Sequence, residues 1–243
     1  MKPTFLSPLE LKQYSLQIAA SKAGIEGQEK LKYSEVVING IGGISIIVLR
    51  CLTTAGIGNV KLVDNRTVTK EMLPSQTLLN IKDVGKLRTV AVREKYIGEN
   101  NGSNIEIING VINNNNIKSI LGNAKMVVDA MQNIDTANNL INLANEQDFY
   151  LAGGFGVNWQ GAYGIYRCNN TKRYMKQVGE FFNRLHPYDT EQPYFGFISN
   201  IIGGAIAEKL IKTMLNIDDN DSVLYEVDML NFNIQNRLNN NFT

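Results

Sequence analysis

The amino-acid sequence predicts an α/β fold in which helices cover both faces of a doubly wound, mostly parallel sheet. Short apolar segments alternate with helix-forming segments over residues 36–154, a pattern typical of strands joined through helices. A glycine-rich turn within residues 39–45 joins the first predicted strand to the helix after it. The second predicted strand ends in an acid, Asp64. Strands connected in this way pair in parallel and are buried on both faces.

The first half of the chain is predicted to begin with two short helices ahead of the sheet. Both fall within residues 9–31, with breaks near Gly24 and Gly27. The elements that follow, in chain order, are a strand over Val36–Gly40, a helix over residues 44–56, a strand over Asn59–Asp64, a helix over Lys86–Tyr96, strands over Ile105–Ile112 and Met126–Met131, a helix over residues 135–146 and a strand over Phe149–Gly154.

The last third of the chain departs from this alternation. After a glycine-rich loop that carries Trp159, the predicted elements are a strand over Ala162–Cys168, helices over Lys172–Leu185 and Phe197–Leu215, and a closing hairpin over residues 223–238. Because no change in composition marks a linker, we expect one domain over residues 1–243, with residues 170–196 as a crossover-like connection. The predicted fold is Rossmann-like, with N-terminal helices and a C-terminal helix plus β-hairpin.

Composition and charge exclude several classes of protein. The formal net charge of +1 provides no overall field for nucleic acid or for an anionic membrane. No segment reaches the roughly 18 consecutive apolar residues of a membrane helix, and the N-terminus lacks the apolar run of a signal peptide. The two cysteines, Cys51 and Cys168, are too few for a disulfide framework or a zinc ribbon. We therefore expect a soluble, cytoplasmic protein with reduced thiols.

The glycine turn and Asp64 together predict a nucleotide site. Gly40, Gly42 and Gly43 let the backbone approach a phosphate, and the N-terminus of the next helix directs its N–H groups at the anion. Asp64 stands where a carboxylate can accept hydrogen bonds from a ribose. A turn that is merely tight stays open as an alternative. NAD-dependent hydride transfer is a weaker alternative, since nothing in the later strands indicates a nicotinamide pocket.

Longer stretches of the chain resemble the ThiF/MoeB/HesA family, the bacterial relatives of ubiquitin-activating enzymes. The resemblance covers nearly the whole chain, and the string G-x-E-G-Q-E-K-L ahead of the first strand is more specific than the glycines. The matching stretches are YSLQI (14–18), GIEGQEKLKYSEVVINGIGGIS (24–45), TAGIGNVKLVD (54–64), DVGKLRT (83–89) and the helix over residues 197–215.

The resemblance implies carboxylate activation with MgATP, which yields an acyl-adenylate and pyrophosphate. The carboxylate in this family is usually the C-terminus of a ubiquitin-like or sulfur-carrier protein. Carried onto this chain, the three glycines face the phosphates and Asp64 faces the ribose. The family motif G-K-x-K-A matches Lys86 and Arg88, so that Arg88 keeps a cation at the phosphates.

Three positions of the family's charge-handling motifs are substituted. The arginine of Y-x-R-Q-I, which reaches the partner subunit's nucleotide in the family, is Leu16 in this chain. In S-N-L-x-R-Q, the asparagine and arginine contact phosphates, and here they are Met72 and Ser75. The resemblance therefore implies fewer groups to neutralise the triphosphate.

The family motif D-x-x-D-N, whose second aspartate organises Mg²⁺, reads Asp129 to Asn133 here, with Gln132 at the metal position. A neutral amide is a poor ligand for a hard dication, so Mg²⁺ use is in doubt. Neither neighbouring acid is expected to replace the metal ligand. The side chain of Asp129 is expected to point away from the metal position, and Asp135 is expected to be a helix N-cap. With Arg88, Asp129 and Gln132 as the candidate catalytic residues, we expect slow or absent adenylation. No zinc is expected, because Cys168 stands alone.

Two functions follow from the resemblance. One is an adenylating enzyme with an altered site that acts on a carrier-protein C-terminus or a small acid. The other is a catalytically silent subunit, which binds nucleotide or acts as a scaffold beside an active homologue. The family is dimeric, so a homodimer or a heterodimer is expected in either case. Trp159 is a candidate substrate contact and His186 a solvent-facing residue at a helix end.

Overall fold

The computed structural model describes residues 5–97, 102–131, 133–167, 171–185, 195–217 and 223–236. Three helices precede the sheet: α1 (Pro8–Gln13), α2 (Ser15–Ala20) and α3 (Gly24–Tyr33). The prediction of two helices is therefore wrong in number: the chain breaks just before Gly24, as predicted, but it does not break at Gly27. Gly27 lies inside α3, where a Cβ would come within 3.0 Å of the side chain of Leu215, so the glycine serves close helix packing.

The rest of the chain follows the predicted order of elements, with a short helix over residues 117–121 and two 3-10 helices that were not predicted. The elements are β1 (Glu35–Asn39), α4 (Gly43–Thr54), β2 (Asn59–Val63), 3-10 helices over Leu73–Ser75 and Ile81–Asp83, α5 (Arg88–Ile97), β3 (Asn104–Ile108), α6 (Ile117–Leu121), β4 (Met126–Asp129), α7 (Ile134–Gln147), β5 (Tyr150–Val157), β6 (Gln160–Tyr166), α8 (Thr171–Leu185), α9 (Gly196–Met214), β7 (Val223–Asp228) and β8 (Asn233–Asn236).

The sheet confirms the predicted fold class. Its strand order is β3-β2-β1-β4-β5-β6-β7-β8, in which the pairs from β3 to β5 are parallel and those from β5 to β8 are antiparallel. The first five strands form the doubly wound half. The hairpin of β7 and β8 continues the same sheet at its far edge. Helix α8 lies within residues 170–196, the predicted connection.

The segment predicted as a glycine-rich loop after β5 is instead a hairpin. Strand β5 runs on to Val157, and Gly156 pairs with Gly161 of β6. The chain reverses at Asn158, whose φ is +53°. A Cβ on Gly156 would lie 2.4 Å from the side chain of Ile198, so the glycines serve the close approach of α9 rather than a turn.

Two apolar cores lie on opposite faces of the sheet. One is built around α4 and α9, and includes Ile44, Leu49 and Ile202, all at most 1% exposed. The other is built around α7 and includes Leu140 and Phe149. Since each face is covered by helices, the carboxyl edge of the parallel strands is the part of the sheet that stays open to a ligand.

Candidate functional site

The turn between β1 and α4 lies where the connections of the sheet change direction. Strand β1 pairs with β2 on one side and with β4 on the other. In open α/β sheets, ligands bind outside the carboxyl ends of the strands at such a switch point. Residues 39–43 therefore occupy the place at which this fold offers a cleft.

The three glycines of the turn meet different requirements. Gly40 has a φ of +89°, and a Cβ there would lie 2.7 Å from Sδ of Met131. A Cβ on Gly43 would lie 2.1 Å from the carbonyl oxygen of Ser75, so Gly43 is needed for packing. A Cβ on Gly42 would have no described heavy atom within 4 Å. Of the three, Gly42 is the one whose missing side chain leaves space open to a ligand.

The start of α4 provides hydrogen-bond donors beside this space. The N–H of Gly42 donates to Oγ of Ser45 at 2.8 Å, and that hydroxyl donates to the Gly42 carbonyl at 3.1 Å. The next N–H groups along the chain belong to the first turn of α4 and have no acceptor within the helix. They carry the partial positive charge of the helix N-terminus, which suits a phosphate.

Asp64 lies beside the turn, at the end of β2. Its Oδ2 accepts a hydrogen bond from the backbone N–H of Ile41 at 2.6 Å, which ties the acid to the glycine turn. The side chain is 1% exposed. Burial acts to raise the pKa of Asp64, but the hydrogen bonds from Arg66 and Ile41 outweigh it, so the pKa lies below its usual value. Asp64 is therefore ionised at neutral pH.

Arg66 is a residue of this site that the sequence analysis missed. Its guanidinium lies against Asp64, with Nη2 at 2.7 Å from Oδ2 and Nε at 3.0 Å from Oδ1. The Arg66 side chain is 36% exposed, so the pair is buried on the acid side and open on the arginine side. An arginine two residues after an acid at a strand end is the signal that could have indicated it.

The structure places Arg88 at the turn and gives Lys86 other partners. Nη1 of Arg88 donates to the carbonyl of Ile41 at 3.0 Å, so a cation sits next to the glycines. Lys86 Nζ lies 2.7 Å from a carboxylate oxygen of Glu94 and 3.4 Å from one of Asp83. The hydrogen bond that Lys86 donates to Glu94 is the main cause that raises the pKa of Lys86. Arg88 is thus better placed than Lys86 to meet a phosphate.

Asp129 is buried at the end of β4. Its Oδ1 accepts hydrogen bonds from Nδ2 of Asn39 at 3.3 Å and from the backbone N–H of Met131 at 3.2 Å. Burial raises the pKa of Asp129 to about 6, although these hydrogen bonds and the charge of Arg66 act to lower it. The carboxyl also lines an apolar cavity of about 50 Å³ between the sheet and α7.

Several predicted positions lie outside the described residues, among them Gln132, Cys168 and His186. The N-cap of α7 is Asn133, whose Oδ1 accepts from the N–H of Thr136 at 2.9 Å. The prediction that Asp135 is this cap is therefore wrong. Asn is as good an N-cap as Asp, so residue type alone did not distinguish the two.

The substituted family positions have ordinary structural surroundings. Leu16 is 86% exposed on α2. Met72 packs against the core around α4 and α9, and Oγ of the buried Ser75 donates to the carbonyl of Met72 at 2.7 Å. These three side chains bring no charge to the cleft.

Trp159 joins an aromatic cluster at the start of α9. Its ring centroid lies 5.2 Å from those of Phe195 and Phe197. Trp159 and Phe195 are 41% and 56% exposed. Gly196, between the two phenylalanines, would place a Cβ 2.5 Å from the carbonyl oxygen of Pro74. The cluster is therefore next to the 3-10 helix that also contacts Gly43.

Neither a metal-binding cluster nor a membrane-spanning helix occurs in the described ranges. Within them, no group of three or more histidine, cysteine, aspartate or glutamate side chains is arranged to hold a metal ion. The helices in these ranges are too short or too polar to cross a bilayer.

The fold and this site define a class of doubly wound α/β proteins, in which a glycine turn leads into the N-terminus of a helix at the switch point of the sheet. Within that class, the chain belongs to the ThiF family, whose profile matches residues 14–242. This confirms the family that the sequence motifs indicated.

Two curated relatives of this chain are named as adenylyltransferases. The chain is 28% identical over 221 residues to the molybdopterin-synthase adenylyltransferase of Haemophilus influenzae, with 88% of each chain covered. It is 26% identical over 217 residues to the sulfur carrier protein adenylyltransferase of Thermus thermophilus, covering 86% of this chain and 79% of that one.

Solved structures share the fold at lower identity. A crystal structure of PaaA superposes with a TM-score of 0.79 at 19% identity, covering 98% of this chain and 85% of PaaA. Escherichia coli MccB crystallised with ATP gives a TM-score of 0.75 at 21% identity, covering 93% of this chain and 70% of MccB. At these identities the likeness concerns the fold alone.

Proposed function

We propose that this chain binds ATP over Gly42 and adenylates a carboxylate with a site that is weaker than the family motifs specify. The carboxylate is the C-terminus of a ubiquitin-like or sulfur-carrier protein, or a small acid. The observation that carries the proposal is the open space over Gly42 at the N-terminus of α4, flanked by Asp64 and Arg88. The named activities of the curated relatives support the same reaction class.

In this reaction, a carboxylate oxygen of the substrate forms a bond to the α-phosphorus of ATP. The bond from that phosphorus to the oxygen bridging it to the β-phosphate breaks, and pyrophosphate leaves with the electron pair. The first N–H groups of α4 and the Arg88 guanidinium hold the phosphates, and Asp64 orients the ribose. These groups act by alignment and by charge stabilisation.

Mg²⁺ would supply further charge neutralisation at the phosphates. The described residues fit such an ion poorly, because they form no cluster of carboxylates and Asp129 is buried with a raised pKa. Gln132, at the family's metal position, is neutral. Slow adenylation is the expected consequence.

A second candidate function is a catalytically silent subunit that pairs with an active homologue. Two observations favour it. Asp64 is already bonded to Arg66, and Lys86 is paired with Glu94. With Leu16 and Ser75 in place of arginines, the cleft can hold a nucleotide while lacking charge for its turnover.

ATP–pyrophosphate exchange and calorimetry distinguish the two functions. Purified protein is incubated with ATP, labelled pyrophosphate and peptides ending in Gly-Gly, and nucleotide binding is measured on the same sample. Exchange that depends on the peptide carboxylate supports the enzyme, and binding without exchange supports the silent subunit. Absence of any nucleotide binding contradicts both.

Arg88→Ala is expected to weaken ATP binding about tenfold, which corresponds to about 1.4 kcal/mol. The substitution removes the cation that lies at the Ile41 carbonyl of the turn. Isothermal titration calorimetry measures the change. Lys86→Ala is the matched control and should weaken binding less, because Glu94 and Asp83 already neutralise that lysine. Equal losses in the two variants would contradict the assignment of Arg88.

A further inference from the structure

The hydrogen bonds of Asp64 leave it no room for a ribose. Three come from the Arg66 side chain, from Nε to both carboxylate oxygens and from Nη2 to Oδ2. Two more come from the backbone N–H groups of Ile41 and Arg66, at 2.6 and 2.8 Å. A carboxylate has about four acceptor positions, so these five contacts fill it.

One of these donors must leave before a ribose hydroxyl can donate to Asp64. The two backbone N–H groups are fixed, because Ile41 belongs to the glycine turn and the Arg66 N–H lies in the chain just after β2. The Arg66 side chain is the exposed partner, at 36% against 1% for Asp64. It can therefore swing away from Asp64 without disturbing the core.

We infer that Arg66 is a nucleotide-binding residue, which moves from Asp64 to the phosphates of ATP when the ribose takes its place. This inference rests on the proposed function, since it requires ATP in the cleft over Gly42. Arg66 then supplies a second cation beside Arg88. Leu16 and Ser75 supply no such charge at the positions where the family motifs have arginine.

The position of Arg66 fits this role. Its guanidinium lies against Asp64 at the end of β2, and Asp64 is in turn hydrogen-bonded to Ile41 of the turn that follows the neighbouring strand β1. Arg66 therefore lies over the carboxyl edge that carries the glycine turn. A guanidinium presents a planar fork of N–H donors that matches two phosphate oxygens.

Calorimetric titrations of the wild type and Arg66→Ala with ATP and with adenosine test the inference. The variant is expected to bind ATP at least tenfold more weakly and adenosine equally or more tightly, because Asp64 becomes available to the ribose. Arg66→Gln keeps hydrogen-bond donors without the charge. It should show the same pattern, with weaker binding of ATP and no loss of adenosine binding. Arg93→Ala removes an exposed arginine of α5 and should change neither ligand.

A residue that merely holds Asp64 in place would give another pattern. Equal weakening of ATP and adenosine, or no change with either, would overturn the role of Arg66 while leaving ATP binding established for the wild type. If the wild type binds neither ligand, the proposed function fails and the inference fails with it. If Arg66→Ala does not fold, the ratio of ATP to adenosine affinity in Arg66→Gln decides.

Discussion

Gly43→Ser is expected to lower the free energy of unfolding by about 3 kcal/mol, the upper range for overpacking a tight contact. A Cβ at this position would lie 2.1 Å from the carbonyl oxygen of Ser75 and 2.7 Å from Oγ of Ser199. A backbone carbonyl cannot rotate away as a side chain can, so α4 itself must shift. Urea denaturation followed by circular dichroism measures the loss.

Gly42→Ser, the same substitution one residue earlier, is the matched control. Gly42 has an extended backbone, is the N-cap of α4 and has open space at its Cβ, and serine is a favourable N-cap. Stability should therefore stay within about 0.5 kcal/mol of the wild type. ATP binding should weaken, because the new side chain enters the proposed phosphate space. If Gly42→Ser were destabilised as much as Gly43→Ser, the distinction between packing and binding glycines would be wrong.

Asp129→Asn is expected to raise the free energy of unfolding by about 2 kcal/mol at pH 7.5. Burial raises the pKa of Asp129 to about 6 from 3.8, and two pKa units correspond to about 3 kcal/mol. About 1 kcal/mol of the gain is offset, because the new amide brings a donor that needs a partner. Asn39 and Met131 can donate to the amide oxygen as they do to the acid.

The stability gain from Asp129→Asn should depend on pH, because the pKa of Asp129 differs between the folded and the unfolded state. Between pH 4 and 6, the folded state holds a proton on Asp129 that the unfolded state has released, so this group stabilises the protein at low pH. That contribution is lost as the pH rises through about 6. The difference between Asp129→Asn and the wild type should therefore grow from pH 4 to pH 7. A difference that is independent of pH would contradict the raised pKa.

The sequence was sufficient for the fold class because its main signals are local. The alternation of strands and helices, the glycine turn and Asp64 at the end of β2 each depend on a few neighbouring residues, whereas the order of strands in the sheet comes from the structure alone. The family motifs also placed Arg88 at the phosphates by analogy, and the structure brings it to the turn.

The errors concern features that depend on distant contacts. Gly156 and Gly161 suggested a loop, because glycine usually indicates a turn, but their small size admits the side chains of Ile198 and Ile202 from α9. Gly27 lies within a helix rather than at a break for the same reason, since its small size admits the side chain of the distant Leu215. For Arg66, the two-residue spacing from Asp64 makes a pairing possible, but only the orientation of the side chain in the structure shows that the pair forms.

The contact between Gly43 and residue 75 bears on how such a protein can change over evolutionary time. The atom that meets Gly43 is the carbonyl oxygen of Ser75, a group that every amino acid possesses. The position of α4 thus makes no demand on which side chain residue 75 carries. Under the proposed function, in which the family motif puts residue 75 at the phosphates, mutations there alter the ligand chemistry of the cleft while the carbonyl that meets α4 is kept.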